Sequence, residues 1–377
     1  MGIGASSLSE AEGESKNTQC GVLSTPSLCH RYWISVGPEE TDSTGGTIQA
    51  KSFNIVQFNV LADGLSGADP SQGGFVLTPS ESLQWHFRSS RLVEEIQRWR
   101  PDIVCLQEVD HFEDFFVPEF SRWNFKGVYA RKPNSPCAGD LSDGCAIFIS
   151  NRFDMLSSRT LNYSLPKPGI EEDKEVEVSN QVGIISVLKD KKISDKDSRL
   201  LIVATTHLKA TKNQEGENMR AHQVQQLFDE VNRVRESLAL GFPTSSVDIV
   251  VCGDFNAPPE DTNGIVAACY PTACAHPLEL ASVYNSPEAL ERFRAEAATA
   301  DEGGNGNSSV ELYSTWKVRP KGEVKWCIDY VFYRGELQPT RLGSLPRGEV
   351  DGLAPCRLPG FQYPSDHLAL PVCFQYL

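Results

Sequence analysis

Several apolar segments of this chain end on polar side chains that can do chemistry. The clearest is "DIVVCGDFNAPPED" at 248–261, where an apolar run stops at Asp254 and Asn256 with Phe255 between them. A carboxylate in or beside an apolar strand is costly unless it is paired or bound to a cation. The same kind of exception recurs at Asn59, Glu108, His207, Lys209, Asp329, Asp366 and His367. Unrelated loops do not account for so many repetitions, so we expect these side chains to meet in one site.

The set has the composition of a magnesium-dependent phosphoryl-transfer site. Mg²⁺ prefers hard oxygen ligands, usually one or two carboxylates together with waters and substrate phosphate. Such a reaction also needs a base for the attacking water, donors to the non-bridging oxygens and stabilisation of the leaving group. Acids, amides and histidines together supply these needs.

Each residue taken alone also has an ordinary structural explanation. Asn59 would cap a strand end, Glu108 would be a surface acid, and His207 would be a core or edge histidine. "GDFNAPP" at 253–259 would be a turn, because Gly, Asp, Asn and Pro are turn formers. Asp329 is harder to explain in this way, since it stands inside an apolar run.

The elements that must position these residues are mostly strands. Two segments, 88–99 and 217–239, have the three- and four-residue apolar spacing of amphipathic helices. Segments rich in Val, Ile, Phe and Tyr and bounded by turn formers predict strands. They cover residues 53–61, 102–109, 144–150, 180–189, 200–208, 247–255, 326–333 and 368–376. Few helices among many strands predict an α/β (α+β) fold with two sheets packed face to face and helices on their outer sides.

Composition limits the function classes. The chain has 377 residues with 40% hydrophobic and 23% charged residues, as in soluble globular proteins. Its net charge of −15 disfavours a processive binder of long nucleic acid and leaves small phosphorylated substrates open. Eleven cysteines without CxxC spacing favour a reduced, intracellular protein. We find no secretory signal and no apolar run long enough to span a bilayer.

Six ordered motifs carry a family resemblance. "FNVLA", "LQEVD", "THLKA", "GDFNA", "IDYVFY" and "SDHLAL" resemble the endonuclease/exonuclease/phosphatase superfamily over roughly 53–376. Longer matches, among them "CLQEVDHF", "RKPNSPC", "DGCAIF" and "STWKVR", are similar to its nocturnin branch, which is related to the carbon-catabolite-repression deadenylases. The resemblance implies a four-layer α/β/β/α sandwich with mostly antiparallel sheets. We expect a flexible tail over 1–50 and one catalytic domain over 51–377.

The resemblance implies a metal site and a water-handling pair. Glu108 would be the principal Mg²⁺ ligand, with Asn59 beside it and Asp366 in support, and Mn²⁺ is an expected substitute. Asp254 would orient or deprotonate the attacking water, and Asn256 would hold that water or a phosphate oxygen.

It also implies a role for each histidine. His367, oriented by Asp329, would stabilise the pentavalent phosphate, and His207 would donate to it from another side. A carboxylate beside an imidazole fixes its tautomer and favours its charged form.

The nocturnin resemblance implies removal of the 2′-phosphate of NADP or NADPH. A 3′-5′ exoribonuclease acting on poly(A) RNA stays open as an alternative, and so does a catalytically silent adaptor with the same fold. The acidic chain favours the compact dinucleotide. The resemblance implies Arg after "HLKA", where this chain has Thr211, so that one phosphate contact is either missing or supplied by Lys212. The candidate substrate-binding residues are Lys132, Lys209, Lys317, Arg319 and Asn180.

The first residues, "MGIGAS", fit the pattern for N-myristoylation of Gly2, with Ser6 at the expected spacing. A single acyl chain gives only marginal, reversible membrane attachment. We therefore expect a monomeric cytoplasmic protein with a weakly membrane-associated fraction, and a mitochondrial pool stays an open alternative.

Overall fold

The computed structural model describes residues 26–37, 51–137, 142–166, 176–194, 199–299, 312–348, 351–353 and 356–377. Within this part of the chain, two sheets dominate. The first has the strand order β1 (Trp33–Ser35), β14 (Leu337–Gly343), β15 (Leu370–Tyr376), β2 (Ser52–Asn59), β3 (Ile103–Gln107), β5 (Gly144–Ser150) and β4 (Phe125–Arg131). The second has the order β10 (Ala281–Ser282), β13 (Asp329–Arg334), β9 (Ser246–Asp254), β8 (Arg199–His207), β7 (Val176–Asp190) and β6 (Phe153–Pro166).

Neighbouring strands in both sheets are antiparallel with two exceptions among the described pairs. β2 and β3 are parallel in the first sheet, and β8 and β9 are parallel in the second. A small separate hairpin is formed by β11 (Thr315–Arg319) and β12 (Gly322–Trp326). The α-helices of the described residues are α1 (Ser80–Leu83), α2 (Trp85–Gln97), α3 (Val117–Ser121), α4 (Gln214–Gly241), α5 (Cys269–Ala275) and α6 (Pro287–Thr299), and short 3₁₀ or π turns cover Asp63–Leu65, Pro70–Gln72 and Phe112–Phe116.

Strand alternation produces the layers, because successive side chains point to opposite faces of a sheet. Ile55 of β2 belongs to the core between the two sheets, whereas its neighbour Val56 packs with Leu92 and Ile96 of α2. On the other side, α4 covers the second sheet with a buried apolar stripe that includes Val224, Leu227, Val231 and Val234. The expected α/β/β/α sandwich is confirmed.

The division into a tail over 1–50 and a domain over 51–377 stays a prediction for most of the chain. Residues 33–35 of the predicted tail, however, belong to the fold. Trp33–Ser35 pair with β14, and the Arg31 guanidinium donates to Glu95 Oε1 at 2.8 Å inside the fold. A three-residue strand has too little periodicity to be found from the sequence. Gly2 lies outside the described residues. No helix of the described chain is long and apolar enough to cross a membrane.

Candidate active site

The two parallel strand pairs deliver the predicted residues to one end of the sandwich. Asn59 ends β2 and lies opposite Gln107 at the end of β3, directly before Glu108. In the second sheet, Asp254 lies opposite His207 on one side and Asp329 on the other. Both sheets therefore contribute to a single cluster.

Asn59 connects the acids of the two sheets. Its Nδ2 donates to Glu108 Oε1 at 3.0 Å and to Asp254 Oδ2 at 2.9 Å. Its Oδ1 accepts from the Leu61 amide at 3.0 Å. Glu108 Oε2 accepts from the Ala62 amide at 3.1 Å. In this arrangement Asn59 orients two carboxylates, and its role as a metal ligand stays a prediction.

Asp254 is buried between two imidazoles. Its Oδ2 lies 3.6 Å from His207 Nε2 and 3.7 Å from His367 Nε2. Burial, together with the nearby Asp329 carboxylate, raises the pKa of Asp254 to about 6. A carboxylate with a pKa closer to neutrality is a better proton acceptor from water than an ordinary aspartate.

His367 is held by a buried hydrogen-bond network. Its Nδ1 donates to Asp329 Oδ2 at 2.8 Å, and the same oxygen accepts from Ser314 Oγ at 2.7 Å. Gln57 Nε2 donates to Asp329 Oδ1 at 3.2 Å. Burial opposes protonation of the imidazole, but Asp329 and further carboxylates raise the pKa of His367 to about 9. This pKa favours the imidazolium at neutral pH, although Lys317 Nζ, 3.3 Å from Nε2, opposes protonation.

His207 has the opposite environment. Lys132 Nζ lies 3.0 Å from His207 Nδ1 and donates to Asp143 Oδ2 at 2.6 Å. An ammonium has only donors, so Nδ1 accepts and the ring proton is on Nε2, facing Asp254. Burial, Lys132 and His367 lower the pKa of His207 well below its ordinary value. His207 is therefore a neutral donor.

Lys132 was a candidate substrate-binding residue. In the structure it lies on the side of the His207 ring that faces away from Asp254. Its side chain is buried, and it forms an ion pair with the fully buried Asp143. Burial lowers the pKa of Lys132, but Asp143 raises it above its ordinary value. A direct contact of Lys132 with substrate stays a prediction.

Asp366 has one carboxylate oxygen that accepts a hydrogen bond and one that accepts none from the described groups. Lys317 Nζ donates to Oδ2 at 2.6 Å, and an Arg319 Nη2 lies 3.7 Å from the same atom. Burial would raise the pKa of this acid, but Lys317, His367 and Arg319 hold the pKa of Asp366 below its usual range. Its Oδ1 is buried, and none of the described groups hydrogen-bonds to it. A cation or an ordered water would satisfy this atom.

The turn after β9 fixes Asn256. Its amide donates to Asp254 Oδ1 at 2.8 Å, and its side-chain Nδ2 donates to the Leu208 carbonyl at 3.1 Å. Asn256 and Glu108 both have left-handed backbones, with φ of +52° and +56°. Such angles are uncommon outside glycine and cluster at functional sites. Phe255 between the two polar residues is buried in the core, as alternation predicts.

The remaining candidates lie at different distances from the cluster. Lys209 is half-buried, and its amide donates to Gln223 Oε1 at 3.1 Å. Asn180 lies on β7, with Nδ2 donating to the Asn134 carbonyl at 3.5 Å. Lys317 is inside the site, 3.3 Å from His367 Nε2. The substrate-binding roles of these residues stay predictions.

Thr211 stands where the family resemblance implies an arginine, and the next residue, Lys212, is a cation close to the site. Thr211 uses its carbonyl to accept from Arg220 Nη1 at 2.7 Å. The adjacent Lys212 places Nζ 4.6 Å from the centre of the Trp326 ring. Both Lys212 and Trp326 line a small cavity beside Asn256. Burial and the charge of Lys317 lower the pKa of Lys212 to about 8.

The donor set fits a divalent cation. Ligand atoms of Glu108, His207 and Asp254 all lie within 4.8 Å of one another, as do those of Asp254, Asp329 and His367. Two carboxylates held close together in a buried site repel each other, and a cation relieves that repulsion. Asp366 Oδ1 is a further oxygen available to a cation or its water.

Sequence reasoning missed several supporting residues. Ser314 Oγ accepts from the amides of Ile328 and Asp329, both at 2.9 Å, while donating to the Asp329 carboxylate. Gln107 Nε2 donates to Thr205 Oγ1 at 2.9 Å, which connects the two sheets. Asp143 could have been found from the sequence, because it is an acid next to an apolar strand, as are the acids that were identified as site residues.

Comparison with known proteins identifies the family. The model of the endonuclease/exonuclease/phosphatase family matches residues 56–367. Nocturnin of Xenopus laevis is 31% identical over 95% of this chain and 80% of its own length. The Ccr4 3′-5′-exoribonuclease subunit of the CCR4-Not complex of Mycosarcoma maydis is 26% identical over 90% of this chain and 53% of its own length. The human nocturnin catalytic domain with bound sulfate has a TM-score of 0.63 at 26% identity, covering 92% of this chain and 97% of that domain. The chain belongs to the endonuclease/exonuclease/phosphatase family, and its sequence places it with the nocturnins.

Proposed function

We propose that this member of the endonuclease/exonuclease/phosphatase family is a Mg²⁺-dependent phosphohydrolase that removes the 2′-phosphate of NADP or NADPH. The observation that carries the proposal is a cluster in which a neutral imidazole and an imidazolium face the buried Asp254 carboxylate, while the Lys317 ammonium lies beside the second ring and pairs with Asp366. His367 Nε2 and Lys317 Nζ lie only 3.3 Å apart. The Asp366 carboxylate offsets part of this positive charge, and a phosphate is an anion that can accept hydrogen bonds from both groups.

Each residue of the cluster has a step in this proposal. Asp254 takes the proton of the attacking water, and Asn256 orients that water. His207 donates from Nε2 to a phosphate oxygen, while the His367 imidazolium stabilises charge on the phosphoryl group. Water adds to phosphorus, the bond from phosphorus to the ribose 2′-oxygen breaks, and that oxygen gains a proton. The products are NAD(H) and inorganic phosphate.

Glu108 would hold the metal, with Asp366 and the Asn59 carbonyl in support. When bound, Mg²⁺, or Mn²⁺ in its place, supplies charge neutralisation and polarises a phosphate oxygen. His207 and Asp329 are better suited to hydrogen bonding than to Mg²⁺, because Mg²⁺ prefers oxygen ligands and Asp329 is engaged by His367.

The charge distribution favours a compact substrate. A polymer binds through many phosphates and needs a row of cations. Here three cations of the site are already engaged: Lys132 by Asp143, and Lys317 and Arg319 by Asp366. With a chain charge of −15, this arrangement suits one dinucleotide better than a poly(A) tail.

Deadenylation is the second candidate. It is favoured by the likeness to the Ccr4 exoribonuclease subunit over 90% of this chain. A silent adaptor is disfavoured, because the acids, amides and histidines of the cluster are all present and connected. We also propose that the protein is a cytoplasmic monomer with weak membrane attachment through Gly2.

One experiment separates these functions. Purified protein with Mg²⁺ is incubated with NADPH and, separately, with a 3′-polyadenylated RNA, and free phosphate and RNA length are measured. We expect phosphate from NADPH, reduced to near background in Glu108→Ala. Glu94→Ala, which removes an exposed acid from α2, is the matched control and should retain wild-type activity.

The other outcomes distinguish the alternatives. Shortened RNA with intact NADPH would overturn the proposal in favour of the deadenylase. Neither product, from a protein that is folded by circular dichroism, would favour the adaptor.

A further inference from the structure

A second cleft lies at the end of the sandwich opposite to the catalytic cluster. Its volume is about 730 Å³, and Ser52 and Asn54 at the beginning of β2 line it. Asn59 lies at the other end of the same strand, so roughly 17 Å of strand separates Asn54 from the catalytic end. The volume is within the range of small-molecule sites, about 300–1,000 Å³. This cleft is distinct from the site described above.

The lining of the cleft is strongly basic. The chain as a whole has 35 Lys and Arg against 50 Asp and Glu. Among the residues that the structure describes, Asp102 is the single acidic residue that lines the cleft. The cationic residues that line it are Arg98, Arg100, Arg152, Lys192 and Arg341. A local excess of positive charge on an acidic protein focuses anions toward that point.

The acid of the cleft and two of its cations are engaged in ion pairs. Asp102 Oδ2 accepts from the Asn54 amide at 3.1 Å and from Arg152 Nη1 at 3.4 Å. Arg152 also forms an ion pair with Asp190 at 2.6 Å, and Arg98 forms one with Glu95 at 2.9 Å. These contacts hold Asp102, Arg152 and Arg98 in place, and Arg152 offsets the negative charge of Asp102.

The other three cations are exposed. Among the described residues, no ion pair involves Arg100, Lys192 or Arg341. The Arg341 guanidinium lies 5.1 Å from the centre of the Trp33 ring, and its Nη2 donates to Cys373 Sγ at 3.5 Å. Stacking on an indole orients a guanidinium while its remaining N–H groups stay available as donors.

We propose that this cleft is a second anion site, which binds a small ligand carrying two or more phosphate groups. Arg341 and Arg100 supply planar forks that match phosphate oxygens, and Lys192 adds a mobile ammonium. The same chemistry is offered by a soluble polyphosphate and by a phosphoinositide headgroup. This site goes beyond the proposed hydrolase function and does not depend on it.

The primary test is binding of inositol hexakisphosphate to the full chain by isothermal titration calorimetry. We expect binding by the wild type and at least about tenfold weaker binding by a Lys192→Gln/Arg341→Gln double variant. Both side chains are exposed, so the fold should be retained, which circular dichroism checks. An Arg122→Gln/Lys126→Gln variant removes two exposed cations elsewhere and is the matched control. It should bind within twofold of wild type.

Lys317→Gln removes a cation of the catalytic cluster and tests whether the probe binds there instead. Unchanged binding in the Lys192→Gln/Arg341→Gln variant, or a loss seen only in Lys317→Gln, would overturn the proposal. Absence of binding to the wild type would overturn it as well, whether or not NADPH is hydrolysed.

Vesicles distinguish the source of the phosphate groups. The wild type and double variant are sedimented with phosphatidylcholine vesicles, with and without a phosphatidylinositol bisphosphate. Hexakisphosphate binding without vesicle binding supports a soluble ligand. Bisphosphate-dependent sedimentation that is lost in the double variant supports a headgroup. Sedimentation that the double variant retains would contradict a headgroup in this cleft.

Discussion

His207 and His367 approach the same Asp254 oxygen at 3.6 and 3.7 Å, but their surroundings drive protonation in opposite directions. Behind His207 lies a lysine ammonium, which forces Nδ1 to accept and favours the neutral ring. Behind His367 lies a carboxylate, which favours the charged ring. Both rings are buried and face the same carboxylate, so the difference teaches that the residue behind each histidine moves the two pKa values apart.

Loss of the charged ring should have the larger effect. We expect His367→Ala to reduce kcat by at least about a hundredfold, because it removes the group that stabilises phosphoryl charge. Steady-state kinetics with NADPH measure this, and circular dichroism checks the fold. Near-normal turnover would exclude the role given to His367.

Removal of the carboxylate behind that ring should have an intermediate effect. Asp329→Asn keeps a hydrogen-bonding partner but removes its charge, so we expect about a tenfold to hundredfold loss of kcat. In the wild type, activity that needs the imidazolium is present below the His367 pKa of about 9 and is lost as pH rises through it. The variant should therefore lose activity at a lower pH.

The pH profile of kcat/KM checks this prediction. A parallel decrease at all pH values, with the alkaline limb unmoved, would mean that Asp329 acts only through packing. The same linkage affects stability, since the folded pKa of His367 lies above its ordinary value near 6.5. Its contribution is complete below that ordinary value and is lost as pH rises toward about 9.

Neutralising the group behind the other ring should have the smallest effect. Lys132→Met alone would leave Asp143 buried without its partner, so the matched change is the double variant Lys132→Met/Asp143→Asn. The pKa of His207 should rise, because one cause of its depression is removed, but burial remains and keeps the ring neutral at pH 7. We expect a change in kcat of less than about tenfold.

Nuclear magnetic resonance titration of the His207 ring would report the shift directly. An unchanged His207 pKa would show that burial alone sets it. If kcat of the Lys132→Met/Asp143→Asn variant fell as much as that of His367→Ala, the proposed difference between the roles of His207 and His367 would be wrong.

The sequence predicted the residues of the cluster better than their connections. The acids and histidines were found because polar residues at the ends of apolar segments are unusual and can be read directly from the sequence. Lys132 was expected to face the substrate, but its ammonium lies against His207 and Asp143. Nothing in the spacing of these three residues reveals that strands β4, β5 and β8 bring them together.

The predicted segments coincide with strands or helices, but several elements were not predicted, among them the long strand β6, the interior strand β14 and the helix α6. The segment 144–150 coincides with β5, and 217–239 lies inside α4. β1 was missed because three residues show no periodicity. β4 has a mixed pattern of exposure, as expected for a strand at the edge of its sheet, so its alternation is weak.

The hydrogen bond from Asn59 to Asp254 joins a strand of one sheet to a strand of the other. A cation held by Glu108 would also attract the Asp254 carboxylate of the second sheet, because ligand atoms of the two residues lie within 4.8 Å of each other. Separation of the sheets would then have to release the ion or remove it from Asp254, so metal concentration enters the unfolding equilibrium of the whole domain. At a hundredfold excess over its dissociation constant, an ion that binds only the folded chain contributes about 2.7 kcal/mol to its stability.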